Sequence, residues 1–169
     1  FSYTGKLLLN SNQWFQDNSS TRTKLDLETV FINPFDSYSF HTIPSFRREW
    51  FDTYLSKISN QYKQALKNFN LSLKFRNKLL AKKPNNYIEQ IKAINPQLAE
   101  YSFYLMNERK HFISSLSDYC GKTFKIIFDE VHDLKIVLET KFNNYTQDQI
   151  KSFYDESLKK DDVLCKTQY

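Results

Sequence analysis

The chain has 169 residues, 40% hydrophobic and 17% aromatic, with a net charge of +5 and a pI near 9.0. That length supports one domain with a real core, or one core plus an appendage, and the apolar content argues against intrinsic disorder despite a mean hydropathy of -0.62. Two glycines against 15 Phe and 11 Tyr argue against tight two-residue hairpins and any Gly-rich phosphate loop, leaving a helix-dominated chain.

Thr4-Gly5 reads as a turn into a short strand over Lys6-Leu7-Leu8-Leu9. Residues 10–23 are rich in Ser, Thr, Asn and Gln and read as loop. Leu27 to Ile32 resumes a strand-like pattern that ends at Asn33-Pro34. From about Arg48 the period changes. Phe51, Leu55, Ile58, Tyr62, Ala65, Phe69, Leu73 and Leu80 follow steps of three and four, apart from one seven-residue gap centred on Arg76. This is the seam of one long helix packed against a partner helix. It should end before Pro84, because a residue preceding proline avoids the helical region. Lys82 to Asn86 is then a connector.

A second helix is expected from near Tyr87, with a break and restart at Asn95-Pro96, Asn as N-cap and Pro at the first helical position. Leu98, Tyr101, Leu105, Phe112, Leu116 and Tyr119 continue its seam, and Gly121 is a candidate stop or kink. Leu134, Ile136, Leu138, Thr140 and Phe142 alternate with Lys135, Val137, Glu139 and Lys141, which predicts a half-buried strand. Thr146 and Gln149 have capping-box spacing and open a helix through Ile150, Phe153, Tyr154 and Leu158. Val163 to Tyr169 is expected to return to a strand. The expected fold is α+β: a long antiparallel helical hairpin, or arm, flanked by short strands and followed by a C-terminal helix. Its expected regions are 1–43 (strand-rich), 44–130 (two long helices, connector near 82–87, break near 95–96) and 131–169 (strand-helix-strand).

Cys120 and Cys165 read as free thiols in a reducing compartment, since a chain of this size needs no bridge. The Asn-x-Ser/Thr triplets at Asn18, Asn70 and Asn144 read as chance in an Asn-rich chain. No apolar run approaches membrane-spanning length and no signal peptide is expected, so the expected setting is cytoplasmic and away from membranes. The start at Phe1 fits a processed protein or an excised domain.

Gly5-Lys6 lacks the upstream glycine of a phosphate-binding loop, and no nucleotide, cofactor or metal site is expected in this segment. His41, His111, His132, Cys120 and Cys165 have no standard metal spacing. Asp52, Glu108, Asp129, Glu130, Asp161 and Asp162 read mostly as surface charge, and Glu108-Arg109 as structural pairing or a solvated face. The segment alone is not expected to be an enzyme.

The cluster Lys74, Arg76, Lys78, Lys82 and Lys83 contains no acid, and such a patch neutralises phosphates without reading sequence. The competing reading is a solvated helix end favoured by the macrodipole. Arg76 occupies a seam position, so internal pairing competes with surface contact. Phe75 and Tyr87 offer stacking faces, with core packing as the alternative. Arg47-Arg48 stand at a helix start, where the dipole disfavours cations, and this implies a partner there: a carboxylate, a phosphate or another domain.

The stretch Ile43-Pro44-Ser45-Phe46-Arg47-Arg48-Glu49-Trp50-Phe51-Asp52, followed by Leu73-Lys74-Phe75-Arg76-Asn77-Lys78-Leu79-Leu80, resembles the RecF family. The family pattern runs from a strand ending in proline, through Ser-Pro-x-x-Arg-Arg-x-Phe-Leu-Asp, to Leu-x-x-Arg-Asn-x-Leu-Leu. The steps from Pro34 to Arg47 and from Asp52 to Asn77 both fit, and Gln97-Leu98-Ala99 and Arg109 resemble the arm's second helix. Trp50-Phe51 stands where Phe-Leu is usual, Ile43 where Ser precedes the proline, and His41-Thr42 where Lys-Gly is common.

The resemblance implies the helical arm of an ABC- or SMC-like ATPase, with the nucleotide motifs outside this segment and ATP and Mg bound by the parent. It implies an ATP-dependent homodimer in recombinational repair and replication restart, loading RecA at single-strand gaps on DNA, with RecO and RecR as further partners. The residues that would contact DNA or an interface are Arg47, Arg48, Lys74, Arg76, Lys78, Lys82 and Lys83. A helical protein-interaction module without a nucleic-acid role is the alternative.

Overall fold

The structure is a computed structural model that describes residues 7–10, 13–16, 19–21, 34–128 and 134–167. By contacts the chain divides into two units, Phe1–His41 and Thr42–Tyr169. In the first, strands β1 (Leu7–Asn10), β2 (Gln13–Gln16) and β3 (Ser19–Thr21) pair antiparallel in the order β1-β2-β3, with Leu7 opposite Gln16 and Trp14 opposite Thr21. Two of these strands fall in the polar stretch expected to be loop. Helix α1 (Pro34–Thr42) begins at the proline expected to close a strand. The strand expected over Leu27–Ile32 lies outside the described residues.

The second unit is helical: α2 (Pro44–Ile58), α3 (Asn60–Lys82), α4 (Tyr87–Phe128), α5 (Gln147–Glu156) and α6 (Leu158–Leu164). Pro44 opens α2, where its fixed φ suits a first helical residue and its missing N–H has no partner to lose. The single helix expected from Arg48 to Lys82 is two helices. Ser59 takes an extended backbone (φ −134°, ψ 110°), and its side chain accepts from the Tyr62 backbone N–H at 3.1 Å, capping α3. The break resets the helical phase, so Ile58, a seam residue on paper, is 71% exposed while Leu55 and Tyr62 on either side are buried. Helix α3 ends at Lys83 in the left-handed conformation, just before Pro84.

The break expected at Asn95-Pro96 does not occur. Helix α4 runs unbroken through Pro96. Pro96 and Lys92, whose carbonyl loses its helical partner, are both exposed, so water can serve that carbonyl. Gly121 does not stop the helix either. A Cβ there would lie 3.2 Å from the Leu134 carbonyl oxygen, so the missing side chain admits the returning chain.

The α+β expectation is overturned. No strand occurs among the described residues of the helical unit. The expected alternation holds from Lys135 to Thr140, with Ile136, Leu138 and Thr140 half-buried and Lys135, Val137 and Glu139 exposed, and fails at Leu134, which is exposed; no strand pairs with these residues. They run instead beside α4, where the Ile136 N–H donates to Ser117 Oγ at 2.9 Å. Period two reports an extended chain with one covered side; it does not report a ladder. The C-terminal strand is likewise replaced by α6 and a turn at Cys165.

Helix α3 packs against the first part of α4, with α5 against α4 and α6 against α3. Leu55, Tyr62, Ala65 and Leu105 form one core cluster. Leu73, Leu98, Ala99, Met106, Ile150 and Tyr154 form the middle one, and Leu79, Leu80, Ile91 and Leu158 the third. The capping box that sets α5 against this core is present, with Gln149 N–H donating to Thr146 Oγ1 at 3.3 Å and Thr146 N–H to Gln149 Oε1 at 2.8 Å.

Candidate nucleic-acid interface

Helix α3 carries six basic residues and no acid. Five of them, Lys63, Lys67, Lys74, Lys78 and Lys82, are exposed. The 3.6-residue period puts these five within an arc of about 100°, opposite the face buried by Tyr62, Ala65, Leu73 and Leu80. The row is about 28 Å long. No carboxylate pairs with it among the described residues. Leu71 and Phe75 border it, 56% and 49% exposed, which settles Phe75 as a surface side chain. Tyr87 is half-buried against the third cluster. Lys63 and Lys67 lay outside the cluster read from sequence. The signal for them was present: an acid-free run with lysines recurring on one helical face from Lys63 onward.

The sixth basic residue is spent inside. Arg76 fills the seven-residue gap in the seam and is fully buried. Its Nη1 donates to Asp161 Oδ2 at 2.9 Å and Thr167 Oγ1 at 2.5 Å, its Nε to Asn95 Oδ1 at 3.0 Å, and its Nη2 to the Tyr154 carbonyl at 3.3 Å. The guanidinium also lies 5.8 Å from the Tyr154 ring centroid. Neighbours complete the network. Asp161 accepts from Ser157 Oγ, Asn95 donates to Asp155, and Asn77 Oδ1 accepts from both the backbone N–H and the hydroxyl of Thr167. Arg76 and Asn77 thus tie α3 to α4, α5, α6 and the chain beyond.

A second staple closes the other end. Arg109 on α4 grips Asp52 on α2, its Nη2 reaching Oδ1 at 2.8 Å and Oδ2 at 2.9 Å and its Nε reaching Oδ1 at 2.9 Å. Tyr62 on α3 donates to Asp52 Oδ1 at 2.5 Å and accepts from Arg109 Nε at 3.0 Å. Burial pushes the Tyr62 hydroxyl above the ordinary phenol range; Arg109 opposes this and Asp52 adds to it. Burial works against the Arg109 charge, but Tyr62 and Asp52 outweigh it and raise its pKa. Arg109 is therefore paired across helices and not with the adjacent Glu108. No buried side-chain N or O among the described residues is left without a partner.

Of the other candidates, Lys83 meets Asp162 Oδ1 at 3.1 Å on the surface, and Tyr87 donates to the same oxygen at 3.0 Å. Lys83 and Tyr87 together hold the Asp162 carboxyl below its ordinary value. Arg47 is half-buried and engaged in contacts of its own, while Arg48 is exposed, both in the first turns of α2. His41 and Cys165 are exposed and distant in sequence from one another, and no group of three or more His, Cys, Asp or Glu is placed to hold a metal among the described residues. His132, Asp129 and Glu130 lie outside the described residues. No helix among them is long and apolar enough to cross a membrane.

No protein-family model matches the chain. Among curated proteins it is similar to the DNA replication and repair protein RecF of Clostridium novyi (strain NT), 31% identical over 134 residues, covering 78% of this chain and 37% of that protein. The RecF of Clostridium tetani is 29% identical over 125 residues, covering 74% of this chain and 34% of that protein. Two solved structures of the recombination mediator protein RecF in the RecFOR pathway share the fold. The ATP form has a TM-score of 0.70 over 92% of this chain and 45% of that one, and the ATPrS form 0.74 over 97% and 48%, both at 22% identity. The chain therefore spans a little over a third of the curated relatives it matches.

Proposed function

We propose, from the premise that this chain is a RecF relative matched along 37% of the Clostridium novyi protein, that its helical unit is the arm of an ATP-dependent DNA-binding protein of recombinational repair and replication restart. The arm contributes phosphate contacts through Lys63, Lys67, Lys74, Lys78 and Lys82. One observation carries this: five exposed lysines on one face of an acid-free helix, held rigid by staples on the opposite side. Phosphate recognition needs only a row of cations at fixed spacing, and it comes without base readout.

In this reading residues 44–130 form the arm, while 1–43 and 131–169 lead to an ATPase lobe that supplies nucleotide binding. ATP and Mg belong to that lobe. The whole protein acts in the cytoplasm as a homodimer that helps load RecA at single-strand gaps, together with RecO and RecR. Arg47 and Arg48 serve a protein surface, since they sit in the first turns of α2, where the helix dipole disfavours cations.

The test is DNA affinity of the chain as a function of salt. Phosphate contact gives a steep negative slope of log affinity against log salt, about 0.9 for each neutralised phosphate of duplex DNA. A slope near zero, or no binding at low salt, supports the alternative of a protein-interaction module.

A further inference from the structure

A second basic feature lies away from the α3 lysine row and has a different make-up. The C-terminal half of α4 and the returning residues 134–144 enclose an open groove of about 720 Å³. Its lining mixes apolar groups, Ile136 and Leu138 of the returning chain and the buried Ile113 of α4, with the polar Ser114, Ser117, Asn143 and Asn144. Its border is basic, with Lys110, Lys122 and Lys135 against the single acid Asp118, and Lys125 beside them. No ion pair joins Lys110, Lys122 or Lys135 to a carboxylate among the described residues.

The returning chain adds a third property. Residues 135–140 have the alternating burial of an extended segment. Of their backbone N–H groups, Ile136 is the one with a recorded hydrogen bond, and it goes to the Ser117 side chain. The backbone groups of Lys135, Val137 and Leu138 have no backbone partner among the described residues. An extended segment with unpaired backbone groups beside a partly apolar trough is the arrangement to which a peptide strand adds.

We propose that this groove is a docking site for an acidic, apolar-studded peptide segment of a partner protein, bound in extended form beside residues 134–138. The apolar groups of the lining take alternate large apolar side chains, the unpaired backbone takes the peptide's main chain, and the lysines take its carboxylates. From Lys110 to Lys125 the helix is about 23 Å long, which fits about seven extended residues. A phosphate backbone fits less well, because it would cover the half-buried Ile136 and Leu138 with charge.

The probe is an immobilised array of seven-residue peptides that alternate Asp or Glu with Leu, Ile or Phe, beside matched neutral and Lys-rich arrays, exposed to the whole chain. The acidic-apolar peptides should bind above both controls. The double variant Lys122→Glu/Lys135→Glu should lower that binding at least tenfold without changing Tm, because both side chains are exposed. Lys74→Glu/Lys78→Glu should leave it unchanged. Equal binding to all three arrays, no binding to any, or equal loss in both double variants would overturn the proposal. Duplex DNA competing off the groove variant's losses, so that Lys122→Glu/Lys135→Glu weakens DNA instead of peptide, would overturn it as well. DNA affinity through α3 is read separately, so failure here leaves that reading to its own test.

Discussion

Arg76 and Asp161, 85 residues apart in sequence, meet at 2.9 Å with neither side chain exposed to solvent. A buried ion pair gains little over a well-packed apolar pair, but removing one partner strands the other charge. Arg76→Met should therefore cost about 3–5 kcal/mol in urea unfolding, and Asp161→Ala a similar amount. The double variant Arg76→Met/Asp161→Leu should be less destabilised than the sum of the single changes. Full additivity would mean the pair is not coupled.

Asp52 and Arg109 form a staple that is less deeply buried, with side chains 17% and 22% exposed. Asp52→Asn keeps the shape and removes the charge, and should cost about 1–3 kcal/mol. The loss should come with faster amide exchange where α2 meets α4, because this pair is what fixes α2 there. Unchanged exchange across α2 would show that core packing alone holds it.

Tyr62 gives the staple a pH signature. Its hydroxyl is held above the ordinary 10.0, so the folded state keeps a proton that the unfolded chain releases. The stabilisation is complete below pH 10 and is lost as pH rises above it. The wild-type chain should lose stability from about pH 10 upward, and Tyr62→Phe should flatten that limb of the curve. At the acid end Asp162 works in the opposite sense. Its carboxyl is held below 3.8 by Lys83 and Tyr87, so its contribution is present above that value and fades as pH falls through the lowered pKa. Tyr87→Phe should move the Asp162 titration, followed by NMR, back toward 3.8.

These staples explain how far the sequence could be read. The seam from Leu55 to Leu80 was legible because burial follows the helical period. Its seven-residue gap marked Arg76, yet a periodic pattern cannot say that a cation fills a core position, because its partners Asp161 and Thr167 are distant in sequence. The break at Ser59 was hidden because residues on both sides keep apolar steps of three and four. Pro96 misled in the other direction: α4 continues through it, with the freed Lys92 carbonyl open to water and Leu98 and Ala99 packed in the core just beyond. The alternation in residues 134–142 gave the covered side for Ile136, Leu138, Thr140 and Phe142, missed the exposed Leu134, and gave the pairing wrongly. Lys63 and Lys67 extend the exposed lysine row beyond the Lys74–Lys83 cluster, and their four-residue step is the helical-face signal that marks them.

The capping box offers a local check. Thr146→Ala removes the acceptor for Gln149 N–H and should destabilise the unit by about 1 kcal/mol. Because α5 supplies Ile150 and Tyr154 to the middle core cluster, the loss should appear in the global unfolding transition and not as local fraying.

The most direct measurement of the central claim is the salt dependence of duplex DNA binding by the wild-type chain and by Lys67→Glu/Lys74→Glu/Lys78→Glu. All three side chains are exposed, so Tm should hold. If the outward face of α3 contacts phosphates while Asp52, Arg76 and Arg109 only brace it, the variant should bind more weakly. Its slope of log affinity against log salt should also be shallower by about 2 to 3. A wild-type slope near zero, or a variant with the wild-type slope and affinity, would contradict the account.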